Sequence, residues 1–256
     1  MQIVDNRALY LRVRDPVKIT SIIPCSKQVG EHEVLVKWGL EEAQVLKNLK
    51  VKNVPSPILK SYEWTGLHKP FAHQVTTSEF LTLHRRAFCF NAQGTGKTAS
   101  VIWAADYLMT TKRIRRVLVI CPVSIMGSAW QGDLFQFAMH RTFQIAHSSR
   151  RERRNQVIMG DAEFVIINYD GLAIVADAIL KSGDFDLIVV DEANAYKNVQ
   201  TARWKTLVKI IKPHTWVWML TGTPASQEPS DAYGLAKIVN PSGVPKFFGS
   251  FRDSVM

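Results

Sequence analysis

Two short groups of residues in this chain can carry chemistry. The first is Asn91-Ala92-Gln93-Gly94-Thr95-Gly96-Lys97-Thr98. Gly94 and Gly96 let a backbone fold tightly enough to turn its amides toward an anion. A helix starting near Lys97 presents its positive end to that anion. In this reading Gln93, Gly94, Thr95 and Gly96 wrap the phosphates of a nucleotide. Lys97 reaches the β- and γ-phosphates, and Thr98 binds Mg²⁺ through its hydroxyl. The strict phosphate-loop pattern has glycine at position 91, where this chain has Asn91. The second group is Asp191-Glu192, directly after Leu187-Ile188-Val189-Val190. Asp191 is suited to hold the Mg²⁺ shell through water. Glu192 is suited to orient or deprotonate an attacking water. An isolated Asp-Glu pair more often marks a solvated turn. Its place after an apolar strand, downstream of a phosphate loop, reverses that preference.

Two further groups are less specific. Gln74 can pair with both the donor and the acceptor edge of adenine, or it can be an exposed polar helix residue. In Thr221-Gly222-Thr223-Pro224, Gly222 and Pro224 can simply form a tight turn. Alternatively, Thr221 and Thr223 link the acidic pair to a nucleic-acid surface. Spacing alone leaves both readings open.

These groups need elements to position them. Short, nearly continuous apolar runs at 87–90, 117–121, 164–168, 187–190 and 216–220 predict five buried parallel strands. Helical patterns lie between them at 98–109, 125–137, 151–159, 171–181 and 202–211. Such alternation predicts an α/β fold with a parallel sheet, whose ligands bind at the carboxyl ends of the strands. The chemistry-bearing groups fall at those ends. Residues 1–57 have a different texture. Runs at 8–13, 18–23 and 32–38 favour strands, and a helix is expected at 41–49 with Val45, Leu46 and Leu49 on its apolar face. The stretch 51–57, with two prolines, reads as a connector. The expected organisation is a small β-rich accessory module over 1–57 and a nucleotide-binding lobe over 58–256.

The net charge is +10 over 256 residues, which suits a polyanionic partner. The basic run 148–154 could touch DNA, but its plainer reading is a solvated helix start capped by Ser149. Lys112, Arg113, Arg115 and Arg116 are likewise expected to be solvated. Cys25, Cys89 and Cys121 form neither a zinc pattern nor a disulfide framework. Cys89 and Cys121, and the pair Trp216 and Trp218, are expected in the core. No apolar run is long enough to span a membrane, and the N-terminus has no secretory pattern. The expected location is the cytoplasm of a bacterial or phage-infected cell, or the nucleus if the source is eukaryotic.

Taken in order, these segments resemble superfamily 2 helicases and, within them, the SWI/SNF-type DNA translocases. Gln74 is similar to the adenine-reading Q motif, and Gly94, Gly96, Lys97 and Thr98 to motif I. Val119-Ile120-Cys121-Pro122-Val123-Ser124, followed by Ala129-Trp130-Gln131, resembles motif Ia and its helix. Ile167-Asn168-Tyr169 falls at motif Ib. Asp191-Glu192-Ala193-Asn194, with Lys197-Asn198 beyond it, resembles the motif II block, and Thr221-Gly222-Thr223-Pro224 motif III. The stretch from Asp231-Ala232-Tyr233 to Asn240-Pro241 is similar to the family's segment after motif III. Asn194 stands where the family usually has histidine, which puts its coupling role in question. The resemblance implies a RecA-like P-loop lobe, compact and of bacterial or phage type, that binds and hydrolyses ATP with Mg²⁺. It implies sequence-independent contact with double-stranded DNA near Pro122, Val123, Ser124, Asn168 and Tyr169. Thr221, Gly222 and Thr223 would couple the two sites. It also implies a second RecA-like lobe, in cis or in trans, after Met256. Alone, the chain is then expected to turn over ATP weakly or not at all. Two other readings stay open. One is a nucleotide- or DNA-binding module without turnover. The other is a P-loop phosphotransferase, against which Asp191-Glu192 and the 221–224 block argue.

Overall fold

Alternating apolar residues near the N-terminus form an antiparallel sheet. Its strands are β1 (Gln2–Val4), β2 (Ala8–Arg12), β3 (Ser26–Gln28) and β4 (Glu33–Lys37), in the order β1-β2-β4-β3. Leu9, Leu11, Val34 and Val36 point to the buried face, while Tyr10 and Leu35 alternate to the other. The expected strand at 18–23 is not there. Residues Pro16–Ile22 form helix α1 instead. The Asp15 side chain accepts from the Lys18 amide at 3.0 Å, and Pro16 occupies the first turn. Cap and proline together outweigh the β-branched composition of the run. Helix α2 (Leu40–Asn48) buries Leu40, Ala43 and Leu46, leaving Val45 and Leu49 half-buried at its flank. Helix α3 (Ile58–Ser61) follows, then α4 (Ala72–Leu83). The computed structural model describes residues 1–182, 185–223 and 228–256. The chain divides into two units, Met1–Glu63 with Ser78–His84 and Trp64–Thr77 with Arg85–Met256. Within the first, Ser56 joins the 78–84 segment: its hydroxyl is 2.7 Å from that of Thr82, and its amide donates to Glu79 at 2.9 Å.

The larger unit is built on the expected parallel sheet. Its strands are β5 (Arg86–Cys89), β6 (Val117–Cys121), β7 (Phe143–Ile145), β8 (Phe164–Asn168), β9 (Leu187–Val190) and β10 (Trp216–Leu220). They lie in the order β5-β10-β9-β6-β8-β7, every pair parallel. Every residue of β6, β8, β9 and β10 is buried, which explains their continuous apolar sequence. Edge strand β7 was not expected; it has three residues, with Gln144 exposed, too few to show a period. The flanking helices are α5 (Lys97–Thr110), α6 (Val123–Ile125), α7 (Gly132–Phe137), α8 (Arg151–Met159), α9 (Tyr169–Ser182), α10 (Ala202–Ile210), α11 (Ala232–Val239) and α12 (Phe248–Val255). Trp103, Trp130, Trp218 and Phe164 are fully buried. Each such side chain contributes roughly 1.5–3 kcal/mol of burial. Cys89, Cys121, Trp216 and Trp218 are in the core, as expected.

Two expectations need correction. The single helix expected at 125–137 is interrupted by a π-helical turn, Met126–Gln131, between α6 and α7. Gly127 and Gly132 weaken the regular register there, and the wider turn accommodates Trp130 facing inward, with its side chain fully buried. The basic residues are also not uniformly solvated. Arg116 is buried, donating to Ala162 O at 3.0 Å and Ile158 O at 3.3 Å, with Phe185 beneath its guanidinium. Arg154 is buried too, donating to Ser148 O at 2.6 Å and Asn168 Oδ1 at 3.2 Å. Position 150, not Ser149, caps α8. Lys112, Arg113, Arg115, Arg150, Arg151 and Arg153 are exposed, as expected. Among the described residues, no helix is long and apolar enough to cross a membrane.

Candidate nucleotide site and the strand-end network

The loop between β5 and α5 has the geometry of an anion cradle. Gly94 and Gly96 have φ of +75° and +71°, a region in which only glycine sits without cost. A methyl group at Gly96 would collide with Gln74 Nε2. Gly96 leads directly into α5, whose 14 residues direct their first amides toward the loop. The Lys97 side chain is buried along this turn. Its ammonium donates to Asn91 O at 3.0 Å and Ala92 O at 3.2 Å. Thr98, half-buried, follows it in the first turn of α5. Thr95 closes the loop with its hydroxyl on Ala92 O at 2.8 Å, and Gln93 is exposed. Asn91, the irregular position, donates from Nδ2 to Thr77 Oγ1 at 2.8 Å. It thereby fixes the start of the loop where the strict pattern would have glycine.

Gln74 lies against this loop. Its Oε1 accepts from the Phe71 amide at 2.9 Å, and its Nε2 donates to Thr95 O at 3.5 Å. His73 Nε2 is 2.9 Å from the same carbonyl. Sequence reasoning missed His73, whose only signal was its place beside Gln74. A cavity of about 410 Å³ is lined by Gln74 with His68, Lys69, Phe71, Trp103 and Phe137.

The acidic pair follows β9, with Asp191 within reach of the Lys97 charge. Asp191 is buried at the end of β9. Burial pushes its carboxyl above the usual range; hydrogen bonds from Trp130 and the Glu192 amide, and the charge of Lys97, act in the other direction. Trp130 Nε1 donates to Asp191 Oδ2 at 3.0 Å, and the Glu192 amide to Oδ1 at 2.9 Å. Glu192 has φ +48° and ψ +54°, left-handed for a residue with a side chain. Such a conformation costs about 1 kcal/mol and persists only where its surroundings enforce it. The same low polarity raises the Cys121 thiol to about 12, burial first and the Asp191 charge second.

The remaining candidate residues fall into two groups. Pro122 is half-exposed, and Val123 and Ser124 are exposed, at the end of β6. Asn168 and Tyr169 are placed differently. Asn168 is buried, its Oδ1 accepting from Arg154 and lying 3.4 Å from His147 Nδ1. The Tyr169 hydroxyl lies 2.6 Å from Asp191 O and 3.1 Å from Glu192 O. Thr221, fully buried, continues from β10 and donates its amide to Cys89 O at 3.1 Å. Its hydroxyl accepts from the Thr223 amide at 3.1 Å. Gly222 packs on Asn91 and Gln93. The Asn194 side chain donates to Thr223 Oγ1 at 2.8 Å. The 191–194 block and the 221–223 segment are thus joined side chain to side chain. Pro224 lies outside the described residues. Farther along, Lys197 pairs with Asp231 at 3.0 Å.

Known proteins place this arrangement. The family model described as the SNF2-related domain matches residues 73–255. The SWI/SNF-related matrix-associated actin-dependent regulator of chromatin subfamily A-like protein 1 of Xenopus tropicalis is 31% identical over 160 residues, covering 60% of this chain and 15% of that protein. A protein of Acyrthosiphon pisum secondary endosymbiont phage 1 is 25% identical over 181 residues, covering 67% of this chain and 39% of its own length. The solved Sulfolobus solfataricus SWI2/SNF2 ATPase core in complex with double-stranded DNA superposes with a TM-score of 0.64. It has 24% identity to this chain and covers 74% of it and 39% of the solved chain. The chain therefore spans well under half the length of each of these relatives. With the family model covering most of its length, the chain belongs to the SNF2-related domain family, as an SNF2-type RecA-like lobe of superfamily 2.

Proposed function

We propose that this chain is the ATP-binding lobe of a DNA-stimulated translocase that tracks on double-stranded DNA without sequence preference. One observation carries the reading. The left-handed glycines of the 94–96 turn feed a long helix whose first residue, Lys97, has its ammonium inside the loop, within electrostatic reach of the buried Asp191 carboxylate.

ATP fits this cradle. Its phosphates would lie along the amides of residues 94–98, and Lys97 would exchange its bonds to Asn91 O and Ala92 O for phosphate oxygens. Gln74 and the cavity beside it are suited to adenine. Thr98 and Asp191 supply one hydroxyl and one carboxylate, a small oxygen-donor set of the kind Mg²⁺ takes when it keeps several waters. Held by these two residues, Mg²⁺ would supply positive charge to offset the negative charge developing on the phosphates. Glu192 would orient the attacking water and take up its proton.

Pro122, Val123 and Ser124 offer the solvent-facing part of the DNA track, through phosphate contacts. Asn168 and Tyr169 act from behind it, since their polar atoms face inward. Thr221, Gly222 and Thr223 connect the track to the acidic pair. Hydrolysis belongs to this lobe closed against a second RecA-like lobe, because closure completes such sites. The N-terminal unit is an accessory module.

The relatives' greater length favours a second reading for the isolated lobe, namely binding without turnover. Measuring DNA-stimulated ATPase on this chain, with and without a second lobe, separates the two. The central test is Lys97→Ala. It should lower affinity for a fluorescent ATP analogue at least ~10-fold, the loss of one to two charge-assisted hydrogen bonds, and abolish ATPase of the two-lobe protein. Wild-type turnover in that variant overturns the assignment.

A further inference from the structure

Glu192 sits in a backbone conformation that its own residue type disfavours. Something must hold it there. One restraint from outside its own turn is the hydroxyl of Tyr169, whose single O–H is shared between Asp191 O at 2.6 Å and Glu192 O at 3.1 Å. These are backbone atoms of the two residues that the proposed reaction needs most.

The ring that carries this hydroxyl is itself fixed. It packs edge-to-face on Tyr196, with centroids 5.6 Å apart. The Arg203 guanidinium lies 5.0 Å over it and pairs with Asp170 at 2.7 Å. Tyr169 also directly follows Asn168, the last residue of β8, whose side chain is gripped by Arg154. A displacement at the end of β8 therefore has a short, rigid path to the acidic turn.

We propose that Tyr169 is a positioning residue. Its hydroxyl clasps the left-handed Asp191-Glu192 turn and ties the carboxylates of that turn to the end of β8. This rests on the reading of Asp191 and Glu192 as hydrolytic residues. In that setting the clasp sets where Glu192 points, not how tightly nucleotide is held. The direct nucleotide contacts proposed above are those of Gln74 and the 94–98 loop, whereas the Tyr169 hydroxyl bonds to Asp191 O and Glu192 O.

The discriminating variant is Tyr169→Phe, which keeps the ring and its packing and removes only the clasp. Three measurements read it. The first needs no activity: amide hydrogen exchange of this chain, with and without Mg²⁺ and a fluorescent ATP analogue. The segment 191–195 should exchange ~5-fold faster or more, the loss of one ordinary hydrogen bond, while the rest of the large unit keeps its protection. The second is affinity for that analogue, expected within about twofold of wild type. The third is DNA-stimulated hydrolysis by the two-lobe protein, in which kcat should fall ~5- to 50-fold with KM for ATP unchanged.

Unchanged exchange at 191–195 overturns the clasp. So does faster exchange spread across the whole sheet, or a parallel loss of nucleotide affinity, because either would make Tyr169 an ordinary core residue. Unchanged kcat in Tyr169→Phe, with Lys97→Ala inactive, overturns its positioning role while leaving the ATPase reading intact. If Lys97→Ala turns over like wild type, or wild type does not hydrolyse ATP, the underlying reading fails. In that case the exchange result alone still says whether the hydroxyl holds the turn.

Discussion

The hydrogen bond from Asn194 Nδ2 to Thr223 Oγ1, 2.8 Å long, makes a sharp prediction about coupling. It is a direct side-chain link between the acidic block after β9 and the segment after β10. Asn194 also stands at the position where the resemblance leads one to expect histidine. The bond is partly exposed, Thr223 more than Asn194. Its net worth is therefore in the lower part of the usual range, ~0.5–1 kcal/mol. If the activated state requires the bond in full, removing it slows the stimulated step by a factor of ~2–5. Asn194→Ala and Thr223→Val each delete one partner. The valine change leaves the Thr223 amide free to keep its bond to Thr221. The double variant should be no slower than either single one, because the second change removes a bond already lost. If the two effects were independent, the double variant would be slower by ~4- to 25-fold. The assay is DNA-stimulated kcat of the two-lobe protein, with analogue binding as control. Neither side chain lies in the 94–98 loop, so binding should not move. Asn194→His restores the residue type the resemblance implies and should retain stimulation. A double variant whose loss equals the product of the single losses would refute the coupling.

Two more predictions need only the chain itself. Gly96→Ala forces a side chain into φ +71° and against Gln74 Nε2. It should destabilise by ~1–2 kcal/mol in urea unfolding and weaken analogue binding more than stability; full binding would contradict the cradle. Asp133 has its carboxyl pushed up to about 6 by burial, above an unfolded value of about 3.9. The folded chain thus binds the proton more tightly, so its advantage is fully present below pH ~4 and is lost as pH rises through about 6. Asp133→Asn removes this slope. It should gain ~1–2 kcal/mol over wild type at pH 7.5, after discounting for partial solvation, and little at pH 4. Urea midpoints at the two pH values check it, and an equal gain at both would sink the explanation.

The legible parts of this molecule were those in which one local pattern decides the outcome. The four central strands are continuous apolar runs because both faces are covered, and their ends matched the expectation residue for residue. The turn of residues 94–96 into α5 was readable because two glycines ahead of a lysine and a threonine mark such a strand–helix turn. Local competition hid α1, where one aspartate and one proline overrode a β-branched run. The π-helical turn was hidden for a different reason. The Trp130–Asp191 contact that accompanies it joins residues 61 positions apart, and no window of sequence contains both. The internal hydrogen bonds of Tyr169 and Lys97 were illegible in the same way. Each side chain donates to backbone carbonyls, and a carbonyl oxygen is present at every position and so leaves no trace in composition or spacing.

What these contacts share bears on how DNA could act on hydrolysis. Three side-chain donors link the segments around the strand ends to the acidic block. Trp130, from the segment after β6, holds the Asp191 carboxylate, and Tyr169, after β8, holds the Asp191 and Glu192 carbonyls. Asn194, within the block itself, reaches out to Thr223 after β10. The residues proposed to meet DNA phosphates are Pro122, Val123 and Ser124 at the end of β6, and the end of β8 lies behind that track. A duplex that shifts either end by a few tenths of an ångström therefore changes a hydrogen bond to the acidic turn, not merely a distant surface. Glu192, already in a disfavoured backbone conformation, is the residue whose geometry such a shift would alter most easily. On this argument stimulation by DNA should appear in kcat and not in nucleotide affinity. It should also be lost stepwise as Tyr169→Phe and Asn194→Ala cut separate links to the same turn. A DNA effect confined to nucleotide affinity in the wild-type protein would place the coupling in the 94–98 loop instead.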